Sequence, residues 1–450
     1  MAKPSSGSAR WKFYAVLGSL LICALFGGSS RGDSLAQIPS RLASLGLVAA
    51  LLVRPDRERL RTVQLPLILL GGLALLMICQ MIPLPPAWWR TLPGRTLFVQ
   101  IADAADLGRV WRPISLAPDL TLNSLLALLP AVAALVGTAS LNSDQRRFLF
   151  TFLPAVGLTS AVVGLIQSYT GSLYFYISKT VNDPLGLFAN RNHQALFLAT
   201  MLPFLMEGLL NEQRKGRAFQ IRAFLSVAIG TLLSAEILVV GSRAGFALLL
   251  VAVAAISVRA FLSLRVRASR RSVILILGVL MALAGSMFLA VHLAGRDQAL
   301  ERFFIVDESI DQRSTMLPSV LKMTWDLFPF GAGFGTFDWV FRAWEPDQWL
   351  SYLHYNHAHD DFIELVYEGG LPAVMLAVVF LWWLLRHAVA AWRRPLPGGF
   401  GRSSTIAIGL MFLSSLVDYP LRTPLLSALC AICVACLGAE AAMRSRDKAS

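Results

Sequence analysis

The chain has 450 residues, of which 56% are hydrophobic and only 15% are charged, and its formal net charge is +13. Because an ordinary soluble domain carries about 25% charged residues, this composition excludes a soluble globular protein and indicates a membrane protein. The positive charge does not indicate nucleic-acid binding, since the Lys and Arg residues lie scattered at the ends of apolar segments and form no continuous stripe.

Apolar segments long enough to cross a bilayer recur along the whole chain. A helix needs roughly 20 apolar residues to span the hydrocarbon core, which leaves room here for about twelve spans. We therefore predict an all-α, polytopic membrane protein that forms a single membrane domain over residues 1–450. The predicted spans are residues 13–27, 35–53, 63–82, 120–141, 148–169, 194–210, 224–241, 244–262, 273–293, 372–390, 404–418 and 424–441.

The links between these spans alternate in positive charge. Most of the chain's 40 Lys and Arg residues lie at the two termini and on every second link. Because cytoplasmic links carry the excess of Lys and Arg, this set predicts the cytoplasmic side and puts both termini there. The basic segments are residues 3–12, 54–61, 146–147, 214–222, 259–271, 386–402 and 444–448.

Two long segments are expected on the opposite, outward side. Residues 83–118 are rich in Pro and Trp, and residues 294–371 separate the ninth predicted span from the tenth. Loops of this length in a compact protein are usually functional. We therefore expect the second segment to be a large catalytic loop.

Short polar clusters at the outward ends of the predicted helices hold the candidate functional residues. Arg243 lies in a tight turn between two apolar helices, at the level of lipid phosphates. Arg binds phosphate with two parallel hydrogen bonds, and an outward Arg runs against the positive-inside bias. The alternative is an Arg that only ends a helix by snorkelling. The clusters are residues 186–193, 241–245, 311–335 and 354–364.

Two further arginines have simpler alternatives. Arg191 lies between Asn190 and Asn192, which could form the N-cap and first turn of a helix. A helix N-terminus also attracts anions, so a structural and a binding role are compatible there. Arg313 could instead form a surface salt bridge with a carboxylate among residues 307–311.

Three histidines and three acidic residues precede the tenth predicted span. They are His354, His357, His359, Asp360, Asp361 and Glu364. This density of imidazole and carboxylate admits a metal site, a general base or a polar loop without a role. The spacing does not match the two-histidine zinc motif HExxH, so we favour a base and predict no metal.

Together these clusters resemble the O-antigen ligase and O-antigen polymerase superfamily of bacterial inner-membrane glycosyltransferases. The resemblance covers about residues 115–440, and the order and intervals of the clusters carry it. Asp360 stands where the family commonly has Asn. The matching stretches are GLFANRNHQALFLA (186–199), GSRAG (241–245), DQR followed by PFGAGFGTF (311–337), NHAHDDFIELVYEGGLP (356–372) and SLVDYPLRTP (415–424).

The resemblance implies a metal-independent glycosyltransferase of the GT-C type, without a cofactor, in the bacterial inner membrane and active on the periplasmic side. The long outward segments, residues 83–118 and 294–371, would then be periplasmic loops. The implied donor is a glycan on undecaprenyl diphosphate. The implied acceptor is a sugar hydroxyl, as in lipid A–core during lipopolysaccharide biosynthesis, and membrane lipids surround the protein.

The resemblance also implies roles for particular residues. Arg243 and Arg313 would bind the diphosphate, and His359, or else His357, would take the proton of the acceptor hydroxyl. Further diphosphate ligands and supporting residues would be Arg191, Arg422, Asn190, Asn192, Ser242 and Asp360.

Three other functions stay open from the sequence. A polymerase that joins repeat units, or a transferase that modifies protein Ser residues, would use the same donor and the same machinery. A transporter belongs to a different class and would place ionisable residues near the bilayer midplane. In the predicted spans Glu236 is the clear example, while the polar residues crowd the outward face, so we favour an enzyme.

Overall fold

The computed structural model describes residues 6–30, 35–53, 55–177, 182–212, 216–264, 308–349 and 355–446. These residues are mostly helical, as the sequence predicts. The first eight helices are α1 Ser6–Phe26, α2 Gln37–Val53, α3 Arg57–Leu60, α4 Gln64–Met81, α5 Pro86–Trp89, α6 Thr96–Ala104, α7 Pro118–Leu126 and α8 Leu129–Ser140. The others are α9 Ser143–Thr170, α10 Arg191–Leu210, α11 Arg217–Val240, α12 Arg243–Leu264, α13 Glu308–Leu327, α14 Phe337–Phe341, α15 Asp361–Arg393, α16 Gly401–Ser415 and α17 Pro424–Arg446.

Short 3₁₀ helices and one small sheet complete the described elements. The 3₁₀ helices are Arg61–Val63, Asp347–Trp349 and Pro420–Arg422. The strands β1 (Pro83–Leu84) and β2 (Arg112–Pro113) pair antiparallel, and they close the segment 83–118 into a loop that carries the short helices α5 and α6.

Ten of the predicted spans each overlap one helix of the structure, and the span 120–141 covers two consecutive helices, α7 and α8. The ninth span, residues 273–293, lies outside the described residues. Eight helical segments within the described ranges are long and apolar enough to cross a membrane. The chain is therefore a multi-pass helical protein, and the count of twelve stays a prediction. The eight are Arg57–Met81, Pro118–Ser140, Ser143–Thr170, Arg191–Leu210, Arg217–Val240, Arg243–Leu262, Asp361–Arg393 and Pro424–Arg446.

Helices α10 and α17 form the centre of the helical core. They are the two most buried of the candidate spans, with α17 against α8 and α10 against α9, α11, α12 and α16. Small residues allow close approach, as is usual between membrane helices. A Cβ at Gly245 on α12 would lie only 2.4 Å from Cβ of Ala195 on α10.

A glycine-rich turn after α13 supports a break in α15. Gly370 has φ +59° and ψ −154°, which leaves the preceding carbonyls without helical partners. The amide of Ala332 donates to the carbonyl of Tyr367, and the amide of Gly333 donates to that of Glu368, both at 3.0 Å. A Cβ at Gly331 would lie 2.4 Å from the Glu368 carbonyl oxygen, so the turn needs glycine there. The glycines of PFGAGFGTF thus position the N-terminal part of α15.

Candidate active site

The ring of Tyr419, in the turn between α16 and α17, is the meeting point of three histidines. Its centroid lies 4.0 Å from that of His357 and 5.3 Å from that of His359. The ring of His193, in the first turn of α10, lies 5.5 Å away on centroids. Tyr419 is only 8% exposed. Three sequence clusters far apart in the chain therefore converge on one buried ring.

A carboxylate fixes the imidazole of His357. Its Nδ1 lies 2.8 Å from Oε1 of Glu364, whose side chain is fully buried. Because an ionised carboxylate only accepts hydrogen bonds, Nδ1 is the donor, and in the neutral ring the lone pair is on Nε2. The other oxygen of Glu364 accepts from the amide of Ala358 at 3.1 Å.

Arg422 binds the carboxylates on the first turns of α15. Two of its N–H groups donate to Glu368 at 3.2 and 2.8 Å, and Nη2 lies 3.2 Å from Oε1 of Glu364. Its Nε lies 3.6 Å from Asp361. Burial opposes its charge, but Glu364 and Glu368 outweigh burial and raise the pKa of Arg422 above its usual range. Its predicted role in diphosphate binding stays a prediction. The observed contacts position α15 and, through Glu364, His357.

His359 is held by a local turn. Its φ is +55°, in the left-handed region, and its Nδ1 lies 2.8 Å from the carbonyl oxygen of His357. A carbonyl oxygen is an acceptor only, so Nδ1 donates and Nε2 of the neutral ring carries the lone pair. The next residue, Asp360, caps α15 by accepting from the amides of Phe362 and Ile363 at 2.8 and 3.0 Å.

Asp360 therefore caps α15, and the Asn that is common in the family at this position would do the same, since Asp and Asn are comparable N-caps. Burial, the largest influence on the Asp360 carboxyl, raises its pKa. The replacement of the common Asn by Asp360 therefore preserves the N-cap of α15, the helix that carries Glu364.

The buried carboxylate of Asp418 joins the remaining clusters. It accepts from the side-chain amides of Asn192 at 2.7 Å and Asn190 at 3.3 Å, and Nε2 of His193 lies 3.7 Å away. The Asp418 side chain is fully buried, so these polar neighbours offset the cost of burying its carboxylate. The hydroxyl of Ser242 donates to Oδ1 of Asn192 at 2.7 Å.

The structure thus ties the supporting residues into one network. Asn190 is also the N-cap of α10, since its side chain accepts from the amide of Asn192 at 2.8 Å. Ser242 accepts from the amide of Gly245 at 2.9 Å in the first turn of α12. The turn that carries Arg243 is therefore connected through Ser242 and Asn192 to the buried Asp418.

The predicted cationic residues fall in different places. Arg191 is the first residue of α10 and lines the cavity described next. Arg243 is the first residue of α12, directly after Ser242. Arg313 lies on the backbone of α13, but its side chain, like the whole of His354, lies outside the described part of the chain. Diphosphate binding by these arginines stays a prediction.

A cavity of about 2300 Å³ runs along this cluster. The polar part of its lining includes Asn190, Arg191, His357, Tyr419 and Arg422. The apolar part comes from α4, α8, α15 and α17, with residues such as Leu70, Leu73, Leu135, Leu376, Phe380 and Val434. One cavity therefore joins a site of imidazole and guanidinium groups to a long apolar wall.

Sequence reasoning missed three carboxylates that organise this site as partners: Glu364 for His357, Glu368 for Arg422 and Asp418 for the two asparagines. A partial signal existed, because Glu364 and Glu368 are four residues apart and so share one helix face. Asp418 is the carboxylate within the stretch SLVDYPLRTP. Tyr419 directly follows it, and its central position had no sequence signal.

These features define a multi-pass helical membrane protein with a polar site of histidine, arginine and carboxylate beside an apolar cavity. The sequence model of the O-antigen ligase family matches residues 228–378, which include Arg243, Arg313, His357 and His359. The predicted resemblance to the O-antigen ligase superfamily is therefore confirmed. The match supports an enzyme of the O-antigen ligase or polymerase type, which acts on a lipid-linked glycan and a glycan acceptor. No curated protein matches the chain.

Proposed function

We propose that the protein is an O-antigen ligase-like glycosyltransferase. It moves a glycan from undecaprenyl diphosphate to a sugar hydroxyl of lipid A–core on the periplasmic face of the bacterial inner membrane. The observation that carries the proposal is the cavity, because one continuous volume combines an apolar wall with His357, Arg191 and Arg422. An apolar wall suits a polyprenyl chain, and the polar part suits its diphosphate and sugar.

In the proposed reaction His359 accepts the proton of the acceptor hydroxyl at Nε2, since its Nδ1 is bonded to a carbonyl. The hydroxyl oxygen forms a bond to the anomeric carbon as the bond from that carbon to the diphosphate oxygen breaks. Direct displacement inverts the configuration. Undecaprenyl diphosphate leaves with the bonding electrons, and the guanidiniums of Arg243, Arg313 and Arg191 stabilise that charge.

Three observations support this division of roles over the reverse. His357 already binds Glu364 within a cluster that Arg422 shares, so it is held to position the site. The two hydrogen bonds from Arg422 to the carboxylate of Glu368 likewise suit a positioning role. That role is compatible with a contact to substrate. Arg243 and Arg191, at the first residues of α12 and α10, place guanidiniums where helix N-termini also favour anions.

The test of the function is the fate of lipopolysaccharide in a strain that lacks the protein. We expect the strain to keep lipid A–core and to lose all forms with attached O-antigen, while lipid-linked glycan accumulates. Purified protein should restore the transfer with isolated donor and core. Core that still carries single repeat units would assign the protein as a polymerase, and glycan lost from protein Ser residues would assign a protein glycosyltransferase.

Orientation is tested separately with reporter fusions. Because the basic links predict the cytoplasmic side, a fusion at Arg147 or Arg271 should report the cytoplasm. A fusion near Ala343, in the loop before α15, should report the periplasm. A cytoplasmic signal from Ala343 would contradict both the orientation and the proposed side of the reaction.

Activity is expected to persist without a divalent metal ion. In the proposed chemistry arginines stabilise the charge of the leaving group, so no metal ion is required there. Transfer by purified protein should survive exhaustive treatment with EDTA at an unchanged rate. Activity that disappears on chelation and returns with one divalent ion would replace the proposed base by a metal site.

A further inference from the structure

Arg41 is a half-buried cation in an otherwise apolar helix, on the wall of the same cavity. Helix α2 reads QIPSRLASLGLVAALLV, in which Arg41 is the charged residue. Arg41 lines the cavity together with Gln37 of α2 and Asn123 of α7. A charge inside an apolar segment is costly and usually serves a substrate path or a pair of charges. The side chains that contact Arg41 therefore distinguish between a charge pair and a contact with substrate.

The partners of Arg41 are neutral. Its Nη1 donates to the side-chain oxygen of Asn123 and its Nη2 to that of Gln37, both at 2.6 Å. Within the described ranges these amides are its hydrogen-bond partners, and no carboxylate lies within 4.0 Å of its guanidinium. Its buried Nε has no partner among the described residues. Among the described residues, no carboxylate therefore offsets the charge of Arg41, and its Nε–H group can still donate a hydrogen bond.

This arrangement is suited to an anion. Asn123 and Gln37 hold the guanidinium in one orientation, so little further side-chain entropy is lost when a ligand binds. A guanidinium with uncompensated charge, beside apolar walls, attracts an anion more strongly than it would in water. A phosphate is the best match, because its oxygens accept two parallel N–H bonds from Arg. Asp119 also lines the cavity and makes no ion pair with Arg41.

We propose that Arg41, positioned by Gln37 and Asn123, forms a subsite for a phosphate group carried by a lipid substrate. The proposal rests on the proposed function and adds to it a cationic residue outside the family match. The phosphate can come from the diphosphate of the donor or from a phosphate on the core of the acceptor. A purely structural Arg41, which only reaches the membrane surface and ties α2 to α7, is the outcome that would overturn it.

The experiment uses the purified full chain in nanodiscs and two variants. Arg41→Met keeps most of the side-chain volume and removes the charge. Asn123→Asp is nearly isosteric and gives Arg41 a carboxylate, so it neutralises the subsite while preserving the contact between α2 and α7. The control is Arg90→Met, because Arg90 is an exposed arginine paired with Asp103 and away from the cavity lining. Arg41→Lys tests the geometry of the guanidinium.

Two measurements separate the two sources of phosphate. The first is the binding of undecaprenyl diphosphate without a glycan, and the second is the KM for core acceptor with and without its phosphates. In Arg41→Met and Asn123→Asp we expect one of these to weaken roughly 10- to 100-fold, the size expected for a lost charge-assisted contact. Weaker binding of the lipid diphosphate identifies the donor, and a raised KM for phosphorylated core alone identifies the acceptor.

Arg41→Lys should fall between wild type and Arg41→Met, and Arg90→Met should match wild type. Unchanged lipid binding and unchanged KM in folded Asn123→Asp would overturn the subsite. Binding of the lipid diphosphate does not require glycan transfer. If wild-type protein bound it through Arg41 but transferred no glycan, the proposed reaction would be wrong while the subsite stood.

Discussion

His359→Ala is expected to lower the single-turnover rate of glycan transfer by about 10²- to 10⁴-fold, the usual contribution of a general base. Binding of the lipid-linked donor should stay close to wild type, because the base contacts the acceptor hydroxyl and not the diphosphate. His357→Ala should have a milder effect, since His357 acts through its contact with Glu364. Rapid-quench transfer and donor binding in nanodiscs measure the two quantities separately.

His387 provides a matched control for this experiment. Its Nδ1 also lies close to a backbone carbonyl, that of Trp383 at 2.7 Å, but it lies far along α15 from the candidate site. His387→Ala should keep the wild-type rate. A wild-type rate in His359→Ala, with turnover lost in His357→Ala, would move the base to His357 and make Glu364 its orienting carboxylate.

The helices of this protein could be predicted because each depends on local sequence. Apolar segments of sufficient length predicted the eight candidate spans within the described residues, and Asn190 and Asp360 occur at helix starts, as their side chains favour. The break of α15 was not predicted. It depends on Gly370 and on amides from a turn about forty residues earlier, and nothing local to α15 indicates those partners.

The sequence predicted several residues of the candidate site, but it did not predict which of them contact one another. The motifs predicted His357, Asn192 and Arg422 as candidate functional residues, yet the carboxylates that bind them were not assigned. The bond from Asn192 to Asp418 joins residues 226 apart in the chain, and that from Arg422 to Glu368 joins residues 54 apart. Such pairs form only when helices pack, so a pattern of spacing along the chain does not contain them.

Arg422 illustrates the consequence. A cationic residue in a conspicuous polar turn suggests an anionic ligand, but inside the fold its guanidinium is close to three carboxylates. Breaking such a buried cluster by removing one charge is strongly destabilising. A loss of activity in an Arg422 variant would therefore reflect misfolding as readily as lost substrate binding, and Arg422 is a poor residue with which to test diphosphate binding.

Arg243→Lys and Arg313→Lys are the better test, and each is expected to lower transfer by roughly 10²- to 10³-fold. The estimate follows the effect of removing one donor that stabilises developing charge in other enzymes. Lysine keeps the charge but is a point donor, so it cannot form the two parallel hydrogen bonds that a guanidinium makes with phosphate. Both variants should remain folded in the membrane, because lysine keeps the positive charge at each position, and the hydrogen bond from Ser242 to Asn192 at the start of α12 is unchanged.

The measurements are donor affinity and single-turnover rate, beside a control at Arg342. Arg342 is a half-exposed arginine that pairs with Asp338 and stacks on Trp339 in the same loop segment as α14, and Arg342→Lys should leave both quantities near wild type. If the arginines clamp the diphosphate in the ground state, donor affinity should fall with the rate. If they act mainly on the leaving group, the rate should fall further than the affinity. Unchanged affinity and rate in both variants would remove Arg243 and Arg313 from the mechanism and direct the search to the arginines that line the described cavity, Arg41, Arg191 and Arg422.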